Sequence, residues 1–256
     1  MPRNPTFESR SAQTILAHAD LRLRELETAE KVFNERCPYR LFTERDFDTG
    51  HILFKAKIIE SPPLSMVPIA FDVLGALRSS LDHVVYDASK RLGGKPRPKY
   101  TKFPFGKTKG GAKNDLGRKR SEVPAALHPY LLSFKPYMRG NKTLWALNEF
   151  RNHKIHRTLG LLAMATTTFA INTGRIGVLH FDQVSEWDGR KRELTYLRAT
   201  RVEDVNVEMQ VSLNVTFQEI PSLKREPAIR LLRKMLADCQ KIVSGVESKT
   251  VDLLRA

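Results

Sequence analysis

From Val207 to Phe217 the chain places an apolar residue at every second position: Val207, Met209, Val211, Leu213, Val215 and Phe217, with polar residues between them. Only an extended strand with one buried face turns that spacing into a continuous apolar surface. Elsewhere the period is helical. Ile15, Ala19, Leu23, Leu26, Ala29 and Phe33 form one stripe, and Ile229, Leu232, Leu236, Cys239, Ile242, Val243 and Val246 form another. A chain that uses both periods in separate stretches belongs to the α+β class.

Residues 11–36 read as a helix that Pro38 ends. Tyr39 to Glu60 reads as a β-hairpin turning at Asp48-Thr49-Gly50, with Ile52, Phe54, Ala56 and Ile58 on one face. Pro68 suits the first turn of a helix running to about Leu92. Its stripe is Ala70, Val73, Leu77, Leu81, Val84, Val85 and Ala88, with Arg78, Ser79, Asp82, His83 and Tyr86 on the other faces. A short helix is expected at 122–134 and a longer one at 141–165. Strands follow from Thr166, with a hairpin of 176–187 and 190–200 turning at Asp188-Gly189. A last helix covers 226–247. This divides the chain into a helical core, 1–165, and a unit of antiparallel sheet plus helix, 166–256, packed together as one body. The sheet of 166–220 is expected to rest one face on the last helix.

Residues 93–120 follow neither period. Glycines and prolines punctuate the stretch, which reads as an exposed, poorly ordered loop. It is also where the charge is. The chain carries a formal +15, and from Lys90 to Arg120 there are twelve basic residues against one acid, Asp115. Tyr100, Phe103 and Phe105 are interleaved with them. Lysines and arginines attract phosphates by releasing counterions, and exposed rings stack on unpaired bases. Lys99, Tyr100, Lys102, Lys107, Lys109, Lys113, Arg118, Lys119 and Arg120 are therefore candidate nucleic-acid contacts. The alternative is a solvated loop whose rings pin it to the core.

Several chemistries lack their residues. Gly106-Lys107-Thr108 resembles the end of a phosphate-binding P-loop, but Thr101 stands where that motif needs glycine. His153 and His156 are two potential metal ligands without an evident third. No Ser-His-Asp or nucleophile-elbow pattern occurs, and nothing calls for a cofactor. Cys37 and Cys239 are far apart and read as reduced thiols. No run of about 18 apolar residues is present, and Met1 to Arg10 lacks the apolar stretch of a secretory signal. The expectation is a cytoplasmic protein without a membrane partner.

Leu147 to Arg157 holds Arg151, then Asn152, then His156 after four intervening residues. This resembles the R-x4-6-H motif of HEPN domains, and Leu77 to His83 looks like their earlier helix that carries polar side chains toward the site. The resemblance implies a helical, homodimeric core and a metal-independent endoribonuclease of bacterial defence or toxin type. By that analogy His156 transfers the proton, Arg151 clamps phosphate, Asn152 orients it and Asp82 holds Arg151 or His156 in place. Histidine titrates near neutrality and arginine offers fixed bidentate donors, which suits phosphodiester cleavage. A second resemblance, to an uncharacterised bacterial protein family, rests on Leu77–Tyr86, Phe103-Pro104-Phe105, Lys135-Pro136-Tyr137 and His156-Arg157. The structural alternative for Arg151 is a buried arginine paired with Asp82 or Glu149, and for His156 a hydrogen-bonded core histidine. Three functions stay open: an RNA-directed HEPN-like protein, a non-catalytic nucleic-acid- or nucleotide-binding module, and a structural homodimer.

Overall fold

The computed structural model describes residues 6–154, 161–171, 181–199, 207–217 and 226–256, with side chains at 6–150, 186–199, Thr216 and 226–256. It is an α+β protein. Its helices are α1 (Arg10–Glu35), α2 (Met66–Arg91), α3 (Lys109–Arg118), α4 (His128–Ser133), α5 (Lys142–Lys154) and α6 (Ala228–Arg255). Its strands are β1 (Tyr39–Arg45), β2 (Ile52–Ile58), β3 (Leu161–Ile171), β4 (Phe181–Asp188), β5 (Glu193–Ala199) and β6 (Val207–Phe217).

The principal core lies among α1, α2 and α6. Leu16, Ala19, Leu23 and Leu26 of α1 meet Val73, Leu77, Leu81 and Val84 of α2 and Leu232, Met235, Cys239 and Val243 of α6. Leu144, Leu147 and Phe150 seat α5 on the same core. Burial pushes the Cys239 thiol well up, so this cysteine acts as a small core residue. At the periphery Arg233 of α6 reaches Glu27 and Asp20 of α1, each at 2.6 Å. Among the described residues no helix is long and apolar enough to cross a membrane.

The 39–60 hairpin is half of a larger sheet. β1 and β2 pair antiparallel, and β2 pairs in turn with β5, giving the order β1-β2-β5-β4. Ala56, Ile58, Leu194, Tyr196 and Leu197 form a second core with Phe33, which projects from the end of α1. Both turns fall where expected, the first held by Asp46 just before Asp48-Thr49-Gly50 and the second by Asp188. Asp46 accepts from Asp48 N and Thr49 Oγ1, with Gly50 at φ 71°. Asp188 accepts from Arg190 N and Lys191 N.

Two expectations change. The strands of 166–220 do not make one sheet: β4 and β5 join the hairpin, while β3 and β6 pair over their whole length as a separate two-stranded ladder. Alternation identifies a strand but not its partner, which packing selects. The helix foreseen to residue 165 gives way earlier, since β3 begins at Leu161. Its Ala163, Ala165 and Thr166–Thr168 pair with β6, so the ladder overrides any helical tendency there. The face of β6 that is covered rests on side chains outside the described residues, Thr216 apart.

Phe33 has no exposed surface and joins the sheet's small core to α1. Phe33→Ala should cost about 3–5 kcal/mol. Urea unfolding of the full chain measures this, and a loss below 1 kcal/mol would mean that the sheet does not depend on α1.

Candidate nucleic-acid interface

Thirteen residues of α2 are buried, Arg78 among them at 4 % exposure. The sequence pattern puts Arg78 outside the apolar stripe; the structure puts it inside because chain covers α2 on that face too. Arg78 pairs with Asp82 one turn on. Its guanidinium carbon stands 4.4 Å from the centroid of the Phe105 ring. Asp82 Oδ1 also accepts the Phe103 backbone N–H at 2.9 Å. Phe103 is buried, 5.2 Å from Phe105 and 6.4 Å from Phe134 between centroids. Just beyond, Gly106 N donates to Pro136 O at 3.1 Å and Gly106 bridges to Tyr137. Stretches 77–86 and 103–105 thus meet at one ion pair, and 135–137 is bonded to Gly106, the residue that follows the second of them.

The 93–120 stretch is therefore not the open loop that its composition suggests. Gly93, at φ 79°, and Gly94 close α2 with paired bonds to Lys90 O and Ser89 O. Thr101 is buried and donates to Glu122, while Arg97 Nε reaches the same carboxylate at 3.1 Å. Residues 109–118 form α3, capped by Thr108 Oγ1 accepting from Gly111 N and anchored by Ala112 and Leu116. A side chain at Gly106 would collide with the backbone of Ala112, so only glycine lets α3 fold back so closely.

On this ordered scaffold most of the charge faces outward. Lys99, Lys107, Lys109, Lys113, Arg118 and Arg120 are exposed. Lys119 is half-buried and held by Asp115 at 2.7 Å, and Arg118, though exposed, stands 3.7 Å from the same acid. Tyr100 is 51 % exposed, with Arg97 and Lys99 at 4.6 and 5.8 Å from its ring centroid. It presents an aromatic surface within a cationic patch, a combination that suits unpaired bases and their phosphates.

A cleft of about 560 Å³ opens beside this patch. Asp82, His83 and Tyr86 of α2 line one side, and Lys99 and Lys102 the other. Ser11 of α1 lines it too and, with Ser9, donates to Asp87 at 2.8 and 2.6 Å. A neighbouring depression between α1 and α2 shares Ser79 and His83 and adds His18 and Asp72. His83 and Tyr86 were not singled out from the sequence as functional. Tyr86 stands four residues from Asp82 and three from His83, the spacings that bring side chains together on a helix, and that is the signal that would have found them.

Of the predicted catalytic group, Asp82 lies in the cleft wall. Arg151 and Asn152 belong to the last turn of α5, with their side chains outside the described residues, and His156 lies outside them altogether. α5 packs against α2, the helix that carries Asp82. A scan of protein-family models finds no match, and neither the curated proteins nor the solved structures contain a significant relative.

Glu122 is buried, which by itself raises a carboxyl's pKa; the bonds from Thr101 and Arg97 outweigh this and hold it below its ordinary value. A depressed carboxyl stabilises the fold above its unfolded pKa, and the contribution is lost as pH falls through the lower folded value. Acidification below the usual carboxylate range should therefore loosen the 97–122 staple. Limited proteolysis across pH checks this: cleavage within 95–120 should rise on acidification, and Glu122→Gln should show the raised cleavage already at neutral pH. A variant as resistant as the parent would remove Glu122 from the staple.

Proposed function

We propose that this protein binds RNA through the basic face formed by residues 90–120. One observation carries the reading: the charge excess stands on an ordered, core-anchored segment, with exposed lysines and arginines arranged around an exposed Tyr100. A floppy basic tract would give weak, shapeless attraction. A fixed one sets phosphate positions in advance and spends less entropy on binding.

A second reading adds cleavage. It is favoured by the packing of α5, which carries Arg151 and Asn152, on α2, which carries Asp82. In that reading two chains of a HEPN-like dimer form one groove, and His156 and Arg151 act as proton-transfer group and phosphate clamp. His156→Ala and Arg151→Lys should then abolish cleavage while binding persists, and cleavage should survive EDTA. Melting temperatures lowered by both substitutions, with no cutting by the parent protein, would leave a binding module.

Binding itself is tested by salt. Lys107, Lys109, Lys113, Arg118 and Arg120 replaced together by Gln should flatten the slope of log affinity for single-stranded RNA against log salt by about 3–4, at roughly 0.7 for each phosphate left without its counter-charge. Lys119→Gln alone should change the slope little, because Asp115 already holds that charge. An unchanged slope in the five-fold variant would mean the charge serves another purpose.

A further inference from the structure

We propose that a second, separate cleft, between the α4–α5 turn and α6, is a binding site for a phosphate group. The cleft has a volume of about 560 Å³ and is lined by four lysines, Lys135, Lys142, Lys234 and Lys241. The one carboxylate in its wall is Asp238, so three positive charges are left uncompensated. No ion pair joins any of the four to another described residue, although Asp238 attracts Lys234 and Lys241 at longer range. Elsewhere the described basic side chains repeatedly find carboxylates: Arg97 has Glu122, Lys119 has Asp115 and Arg233 has Glu27.

The lysines are held where they are by rigid backbone. Lys234 and Lys241 are seven residues apart on α6, two turns along one face. Lys135 and Lys142 flank a tight turn in which Asn141 N donates to Lys135 O at 2.8 Å and Gly140 N to Tyr137 O at 2.8 Å. Asn141 Oδ1 caps α5 by accepting from Thr143 N and Leu144 N, both at 3.1 Å. The helix end is thus already satisfied, and the lysines, not peptide N–H groups, would carry the anion. Lys142 is the first residue of α5, a position where the helix dipole disfavours a cation. An anion in the cleft relieves both that opposition and the mutual repulsion of the four ammonium groups.

Ammonium groups act as point charges without the planar fork of arginine, so they select charge more than shape. A phosphate monoester or diester fits them. The phosphate can come from the backbone of an RNA crossing the molecule or from a free small phosphate. The Gly106–Tyr137 bridge sets this turn beside the basic segment, one residue from Lys107, so a strand leaving that face meets the cleft next. The site itself does not rest on the RNA reading; only its continuity with the basic face does.

The experiment is thermal unfolding of the full chain in inorganic phosphate against chloride at matched ionic strength, for the parent, K142Q/K241Q and Asp238→Asn. The parent should gain melting temperature saturably with phosphate. K142Q/K241Q should melt no lower than the parent in chloride and should lose the phosphate gain, and Asp238→Asn should enlarge it. An equal gain in the double variant, or no gain in the parent beyond that in chloride, would overturn the proposal. Single-stranded RNA titrations then separate the sources. A salt slope smaller by about 1 in K142Q/K241Q assigns the cleft to RNA phosphates. An unchanged slope with a lost phosphate response assigns it to a free phosphate. If the five-fold variant of the basic face keeps its slope while the parent keeps its phosphate gain, the RNA reading fails and the cleft stands.

Discussion

The buried pair of Arg78 and Asp82 is the interaction on which the candidate interface depends. A guanidinium at 4 % exposure is costly unless charge and hydrogen bonds compensate it. Here Asp82 supplies the charge and Phe105 a ring face. The same carboxylate takes the Phe103 N–H, so the device that neutralises the arginine also nails the basic segment to α2. Without that fixture, twelve like charges in thirty-one residues would drive the segment into solvent. A solvated tract could still attract polyanions, but it would not hold Tyr100 and its neighbouring cations in one arrangement.

Charge is thus sorted by burial. Inside, each cation has its acid: Arg78 with Asp82, Lys55 with Glu44. At the surface, among the described residues, the outer side of 90–120 and the lysine cleft beside α6 gather cations with few acids near them. Surface ion pairs contribute little to stability, so their absence costs the fold little. What the unpaired surface lysines do contribute is field, which acts on anything anionic that approaches.

Much of the fold was legible in the sequence. The stripes of α2 and α6 match the observed core, that of α1 does so with Leu16 in place of Ile15 and with Phe33 in the sheet's core, and Asp48–Gly50 and Asp188-Gly189 mark the observed turns. The rest was illegible for physical reasons. α3 buries only Ala112 and Leu116, and two anchors on a Lys-Gly-Gly-rich helix leave no period to detect. The pairing of β2 with β5 is a choice among compatible strands, and alternation carries no address. The candidate site was half visible. Charge and aromatics located the basic face, and Asp82, Lys99 and Lys102 do share a cleft. His83 and Tyr86 escaped because polar residues on a helix read as solvent-facing; His83 is exposed, and only Tyr86 is half-buried.

The sheet order has a consequence for the chain as it is made. Lys57 of β2 meets Glu193 of β5 across 136 residues of sequence. Ribosomes add roughly 5–20 residues per second, so on the order of ten seconds separate the two strands' emergence. During that interval the β1–β2 hairpin is complete, yet one edge of β2 has no partner, and Ala56 and Ile58 lack the strand that shares their core. Contacts so distant also slow folding after release, since a long loop must close before they repay it. An unpaired strand edge is a template for whatever extended chain lies nearest. On a crowded polysome that neighbour is another copy at the same stage, and until β5 emerges the open edge of β2 is available to it.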